Sequence, residues 1–265
     1  MLKPIAAPPY AGGAGEKAPA DRVRLIVATY NVHRCIGRDG RQDAERVARV
    51  LREMDASIVG LQEVESFQEG EPQHHQLTRI VRATGLIAVA GPAMYRPEAH
   101  YGNSLLTRER LLRVQRHDLS VTNREPRGAV EADLDIEGCR IRAIAAHLGL
   151  SARERRCQAR QLLEIVARQP HVPTIVLADF NEWFFCGGPL FWFRSGLGRS
   201  RPRRTFPSHF PLLALDRIWA SPPARVLRTH AHRSPLACVA SDHLPLTAVV
   251  EFARADAPCE AGQPG

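Results

Sequence analysis

Lysine is almost missing from this 265-residue chain: Lys3 and Lys17 are its only two, and every other one of its 36 basic residues is arginine. The net charge of +8 therefore rests on planar guanidinium forks, which bind phosphates well. It permits an anionic partner without naming one, because the same skew beside abundant alanine also follows from a GC-rich genome. No run reaches the about 18 apolar residues that a membrane-spanning helix requires. The N-terminus, MLKPIAAPPYAGGAGEKAPADR, has an early lysine but no compact apolar stretch, and does not read as a secretory signal. Cys35, Cys139, Cys157, Cys186, Cys238 and Cys259 form no CxxC pair, which argues against a zinc ribbon or a thioredoxin-type site. With no export signal they read as free thiols in a reducing cytoplasm, so a cytoplasmic location is expected. No internal repeat and no interdomain linker stand out.

What is present is enough apolar residue, 44% of the chain, for a sizeable core, which excludes disorder. Residues 1–21 and 254–265 are rich in Ala, Pro and Gly and read as flexible ends. A single domain is expected over 22–253. Alternation over 23–30 predicts a strand leading to Asn31. Asp43 precedes a helical pattern of Ala44, Val47, Ala48, Leu51 and Met54. A short strand, 57–62, delivers Glu63, and a second helix spans 74–84. Strands are predicted at about 86–90, 101–107, 111–119, 128–136 and 139–147, with a turn at Glu137-Gly138. Ser151 and Glu154 make a capping box for a helix running to about Arg168. Pro173 opens a strand to Ala178 or Asp179, and strands near 213–219, 225–232 and 244–252 close the pattern. So many neighbouring strands favour antiparallel pairing, in an α/β fold of two sheets packed face to face with helices outside.

Polar residues recur where apolar runs stop: TYNVH (Asn31), GLQEVE (Glu63), AHLGL (His147), LADFNEW (Asp179, Asn181), LDRIW (Asp216) and ASDHLPL (Asp242, His243). A buried strand carries the side chain just past its end to a rim, where chemistry is usually sited. Carboxylates with an Asn oxygen suit a hard divalent cation such as Mg²⁺. Histidines beside them can move protons. Together they describe metal-assisted phosphoester hydrolysis. Glu63 closes the apolar run IVGLQ and is the first expected metal ligand, with an oxygen of Asn31 beside it. Asp179 and Asn181, two apart, share a face if extended, although both residues also favour turns. His243 can donate to a phosphate oxygen or act as acid or base. His147 can protonate a leaving oxygen or stabilise developing charge. Tyr101, Asn103 and Arg124 are expected to line the cleft and contact phosphate.

These blocks, in this order and spacing from about Arg24 to Phe252, resemble the endonuclease/exonuclease/phosphatase superfamily, the DNase I-like proteins. YGNSLLT, REPRGAVEADL and TFPSHFPLLALDRI look nearest to a bacterial branch of it. The resemblance implies a four-layer α/β sandwich with the site at one end of two largely antiparallel sheets. It gives Asp179 the water-activating role, makes Asp216 the partner that orients His243, matches His147 to a second histidine of nuclease-like members, and turns Asp242 to the metal or its water. One departure is the order Asp216-Arg217-Ile218, since in repair enzymes an Asp follows the Ile. Long insertions of the kind that grip a kinked duplex are not identifiable.

The expectation is a Mg²⁺- or Mn²⁺-dependent phosphodiesterase, foremost a nuclease, cleaving by in-line attack of water on nucleic acid. A phospholipid or small-molecule phosphodiesterase or phosphatase with the same site is the alternative. A non-catalytic binding module of the same fold comes third. No stable protein partner is expected. RSRPRR (Arg199, Arg201, Arg203, Arg204) is the densest basic run and suits a nucleic-acid backbone or acidic lipid headgroups. The aromatics of NEWFFCGGPLFWF read chiefly as packing under the Asp179–Asn181 loop.

Overall fold

The computed structural model describes residues 21–66, 75–95, 100–184 and 187–254. The expected flexible ends lie outside them save for Asp21 and Arg254, and so do His74, the first residue of the expected second helix, and Phe185.

Two sheets form the centre. The first has six strands in the order β10-β11-β1-β2-β4-β3: β1 Arg22–Asn31, β2 Ile58–Ser66, β3 Ile87–Tyr95, β4 His100–Thr107, β10 Arg225–Ala231 and β11 Leu246–Ala253. The second has five, β5-β6-β7-β8-β9: β5 Arg110–Asp118, β6 Gly128–Ile136, β7 Cys139–His147, β8 Thr174–Asp179 and β9 Asp216–Ala220. Pairing is antiparallel except at β1–β2 and β7–β8. This is the four-layer α/β sandwich expected from the sequence.

Side-chain alternation builds the layers. Val23, Leu25 and Val27 of β1 meet Ile141, Ala143 and Ala145 of β7 and Ile175 and Leu177 of β8 between the sheets. The sheets approach so closely at Gly60 that a Cβ there would lie 2.7 Å from the Leu177 Cβ, which excludes any larger residue. The opposite faces are covered by helices. α1 (Ala44–Met54) and α2 (Gln76–Thr84) pack Val47, Val50, Leu51 and Ile80 on the first sheet. α3 (Ala152–Ala167) and α4 (Gly188–Leu197) pack Leu162, Ile165 and Phe193 on the second. A one-turn α5 (Ala237–Ala240) adds two alanines to the first layer. Asp43 caps α1 by accepting from the Arg46 N–H at 2.9 Å, and Ser151 with Glu154 forms the expected capping box on α3.

β3 runs on to Tyr95 rather than ending near residue 90, and three further elements differ from the sequence reading. β2 does not stop at residue 62. It runs on to Ser66 through a register shift between Leu61 and Val64, with Glu63 at φ 57°; such a bulge re-aims a side chain without ending the strand. β9 starts at Asp216 rather than 213, because Leu213 instead bridges Phe206. α4 forms where a packed aromatic stretch was expected. Its Phe193 is buried against Phe180 and Trp219, but Phe191, Trp183 and Phe184 are exposed.

Candidate active site

The two parallel pairs aim the C-terminal ends of β1, β2, β7 and β8 at one rim. Asn31 ends β1, His147 ends β7 and Asp179 ends β8. The antiparallel neighbours begin there, so Asp216 opens β9 and His243 precedes β11. Pairing sets His147, Asp179 and Asp216 side by side on adjacent strands.

Asp179 is the hub. Its Oδ1 accepts from the Asn181 backbone N–H at 2.9 Å. Its Oδ2 accepts from Asn31 Nδ2 at 3.1 Å and lies 3.6 Å from His147 Nε2 and 3.7 Å from His243 Nε2. Asn31 Nδ2 also donates to Glu63 Oε1 at 3.0 Å, so one amide group bridges two carboxylates. Asn31 turns its nitrogen, not its oxygen, to Glu63, and its oxygen accepts from the His33 backbone N–H at 3.0 Å. Asn181 is likewise not extended. It sits at φ 48° in a turn closed on Asp179, and donates its Nδ2 to His147 Nε2 and the Leu148 carbonyl, both at 2.9 Å. With both amide hydrogens spent, the Asn181 oxygen is the atom left for a water or a phosphate-bound proton.

The histidines are held in opposite states. His243 Nδ1 lies 2.9 Å from Asp216 Oδ2, which also accepts from the Thr205 hydroxyl. Burial alone would lower the His243 pKa, but the Asp216 and Asp179 carboxylates outweigh it and raise it to about 10. Burial raises the Asp216 carboxyl, against the pull of the imidazole. His147 is different: burial dominates and lowers its pKa, which suits a neutral ring accepting at Nε2. Burial works against ionisation of Asp179, but His243, His147 and the Asn31 hydrogen bond hold its pKa low. Glu63 is also held low, against its burial, by His147 and by hydrogen bonds from Asn31 and Tyr101.

A charged His243 has a consequence for stability. The ring's ordinary value is about 6.5, and the fold raises it to about 10. Its contribution is therefore complete below the ordinary value and is lost as pH rises through the raised one. His243→Gln should lose more stability relative to wild type near pH 6 than near pH 10, measured by urea unfolding in EDTA. Equal deficits at both pH values would show that the ring carries no extra proton.

The remaining expected residues divide. Tyr101 hydrogen-bonds Glu63, and burial with that carboxylate pushes its hydroxyl up, keeping it a donor. Tyr101 and Asn103 line a small cavity with Glu63 and His147. Asn103 spends its Nδ2 on the Gly128 carbonyl at 2.7 Å, tying β4 to β6. Arg124 is exposed in a turn whose N–H donates to Val121. The arginine in that cavity is Arg127, which is 7% exposed and gripped by Glu125. Its signal was its place before Gly128, the first residue of β6. Asp242 lies at the rim, half-exposed, 3.9 Å from His33 Nδ1. Sequence reasoning also missed the turn His33-Arg34-Cys35, whose φ angles of 46°, 52° and 57° are all left-handed. Such non-glycine backbone is held only by its surroundings: Gln42 and Gln76 donate to the Arg34 carbonyl, and Arg34 Nε to Glu65.

Asp179, Asp216 and His243 have ligand atoms close enough to share an ion, but both ring nitrogens of His243 face carboxylates, so that group reads as a proton-bearing relay. Glu63, a partly exposed carboxylate beside Asp179, is the residue whose hard oxygens fit a divalent cation.

The model of the "Endonuclease/Exonuclease/phosphatase family" matches residues 28–243, and those bounds enclose every residue of the arrangement just described. The chain belongs to that family. Its members are metal-dependent phosphoesterases. The "Uncharacterized protein YbhP" of Escherichia coli (strain K12) is 32% identical over 250 residues, covering 85% of this chain and 96% of its own. Among solved structures of the family fold, the mannosyl-6-phosphatase of Bacteroides thetaiotaomicron VPI-5482 superposes with a TM-score of 0.68 at 18% identity, covering 85% of this chain and 99% of its own. The human Nocturnin catalytic domain, with bound sulfate, gives 0.67 at 19% identity, covering 87% and 96%.

Proposed function

We propose that this protein hydrolyses phosphodiesters, with Mg²⁺ or Mn²⁺ as cofactor and a nucleic-acid strand as substrate. The observation that carries the reading is the surrounding of Asp179: a buried carboxylate whose Oδ2 lies 3.6 Å from His147 Nε2 and 3.7 Å from His243 Nε2, joined to Glu63 through the Asn31 amide. Asp179 Oδ2 takes the proton of a water that the Asn181 oxygen orients toward phosphorus. His243, held by Asp216, donates from Nε2 to a non-bridging phosphate oxygen as charge builds. His147, accepting at Nε2, carries its proton at Nδ1 and hydrogen-bonds the leaving oxygen, which takes its own proton from solvent. Glu63 would hold the cation, with Asp242 at the rim as a further acidic group, and a bound dication would supply charge neutralisation at the phosphoryl group. No side chain becomes covalently attached.

Two exposed aromatics, Trp183 and Phe184, lie two and three residues after Asn181 and suit stacking on bases. The alternative, a phospholipid phosphodiesterase, is favoured by exposed Leu150 near His147 and exposed Phe210 and Leu212 in the loop whose Phe206 packs on His243. A screen of single- and double-stranded DNA, RNA, phospholipid vesicles and phosphosugars with Mg²⁺ or Mn²⁺ separates them. Cleavage confined to phospholipid would transfer the assignment.

EDTA should abolish turnover, and Mg²⁺ or Mn²⁺ should restore it. Glu63→Gln should raise the metal concentration needed for half-maximal activity and lower kcat by about 10²-fold. Full activity in EDTA, or an unchanged metal requirement in Glu63→Gln, would remove the metal role.

A further inference from the structure

The arginine run at 199–204 takes no part in the centre described above. It borders a cavity of about 620 Å³ at the open edge of the sandwich, beside β9 and β10, the last strands of their sheets. Arg194, Arg199, Arg201 and Arg203 line it, and no carboxylate does among the described residues. Arg203 is anchored by donating Nε to the Thr229 carbonyl at 3.0 Å. Arg194, Arg199 and Arg201 make no ion pair among the described residues.

Two further donors lie at its wall. Trp219 is 4% exposed and lines the cavity, yet its buried indole Nε1 has no hydrogen-bond partner. The buried hydroxyl of Ser200, also in the lining, has none either. Orphaned buried donors are rare in native folds and call for an acceptor. The cavity is distinct from the catalytic centre. Along β9, Ile218 and Ala220 face the core between the sheets, whereas Trp219 packs on the opposite face with Phe180 and Phe193.

We propose that this cavity is a second binding site, for a small anion bearing a diphosphate or triphosphate. Four guanidinium groups match the charge of such a group, and their planar forks match its oxygens. The indole N–H and the Ser200 hydroxyl are unpartnered donors covered in the cavity wall, and a bound oxygen meets them once the wall side chains move aside. A polymer backbone passing over the mouth would leave them unmet. The volume is in the range of small-molecule pockets. The proposal goes beyond the hydrolytic reading and does not depend on it.

The test is calorimetric titration of the full chain with inorganic pyrophosphate and with ATP, in EDTA at low salt. Wild type should bind pyrophosphate at one site. The double variant Arg199→Ala, Arg201→Ala should weaken binding by about tenfold or more, and Trp219→Phe, which keeps the ring and removes the N–H, by severalfold. Both should keep the wild-type melting temperature and turnover of a generic phosphodiester. Tighter binding of ATP than of pyrophosphate would identify a nucleotide as the source of the phosphates, and equal binding a free oligophosphate. The proposal is overturned if pyrophosphate gives no heat or if the variants bind as wild type does. It is overturned equally if binding is lost in Asp179→Asn instead, or if a single-stranded oligonucleotide binds far more tightly and is the ligand the arginine variants lose.

Discussion

Asp179→Asn should lower kcat on a generic phosphodiester by about 10²–10³-fold while the protein stays folded. The substitution keeps the shape and leaves an acceptor for the Asn181 N–H, which now binds Asp179 Oδ1 at 2.9 Å. It removes the charge on Oδ2, the atom faced by Asn31 and by both histidines. The proposed mechanism thereby loses its acceptor for the water's proton, and His243 loses one of the carboxylates that raise its pKa. His243→Ala should be comparably damaging. The double variant should be little worse than either single one, because groups that act as a unit do not add. Steady-state kinetics alongside thermal melting decides it. Turnover near wild type in either single variant would eliminate the mechanism.

The largest loss of stability should come from Arg142→Met, far from the chemistry. Arg142 is 1% exposed on the helix-covered face of the second sheet. Its Nε lies 3.0 Å from Asp133 and 3.1 Å from Glu131, which are themselves 1% and 3% exposed. Methionine fills similar volume but leaves two buried carboxylates with only Arg140 on Asp133 and His117 on Glu131. Breaking such a pair from one side costs about 3–5 kcal/mol, which for a domain of this size lowers Tm by about 10 °C. Adding Glu131→Gln and Asp133→Asn to the same chain should recover much of it, since the cost lies in stranded charge. Urea unfolding measures both. A loss below about 1 kcal/mol, the scale of an exposed pair, would mean that water reaches these groups.

Much of this was legible in the sequence because burial leaves a compositional trace. The runs RLIVATY, SIVGLQ, RAIAAHL and TIVLAD became the central strands β1, β2, β7 and β8, and strand ends are where Asn31, His147 and Asp179 were sought. Asp43 and Ser151 announced their helices because a cap needs a specific side chain at a specific place. What stayed hidden depends on a single backbone angle or a side-chain flip. The bulge at Glu63 adds one residue to a strand without altering its apolar character. The left-handed turn at His33-Arg34-Cys35 has no glycine to mark it. The amide of Asn31 points as it does because a backbone N–H two residues on claims its oxygen. Arg124 and Arg127 share one short motif, and only the start of β6 decides which is gripped at the cleft. α4 was obscured because aromatic side chains serve a packed loop and a helix equally well.

The row formed by His147, Asp179 and Asp216 has an implication for how this protein can change over time. Neighbouring strands sit about 4.8 Å apart by backbone geometry alone, so these three groups are spaced by a ladder that no rim loop can alter. Insertions after Leu150, Trp183 or Phe210 can remodel what is held at the mouth without disturbing how the bond is cut. The rim loops can therefore vary while the spacing of these three groups stays fixed.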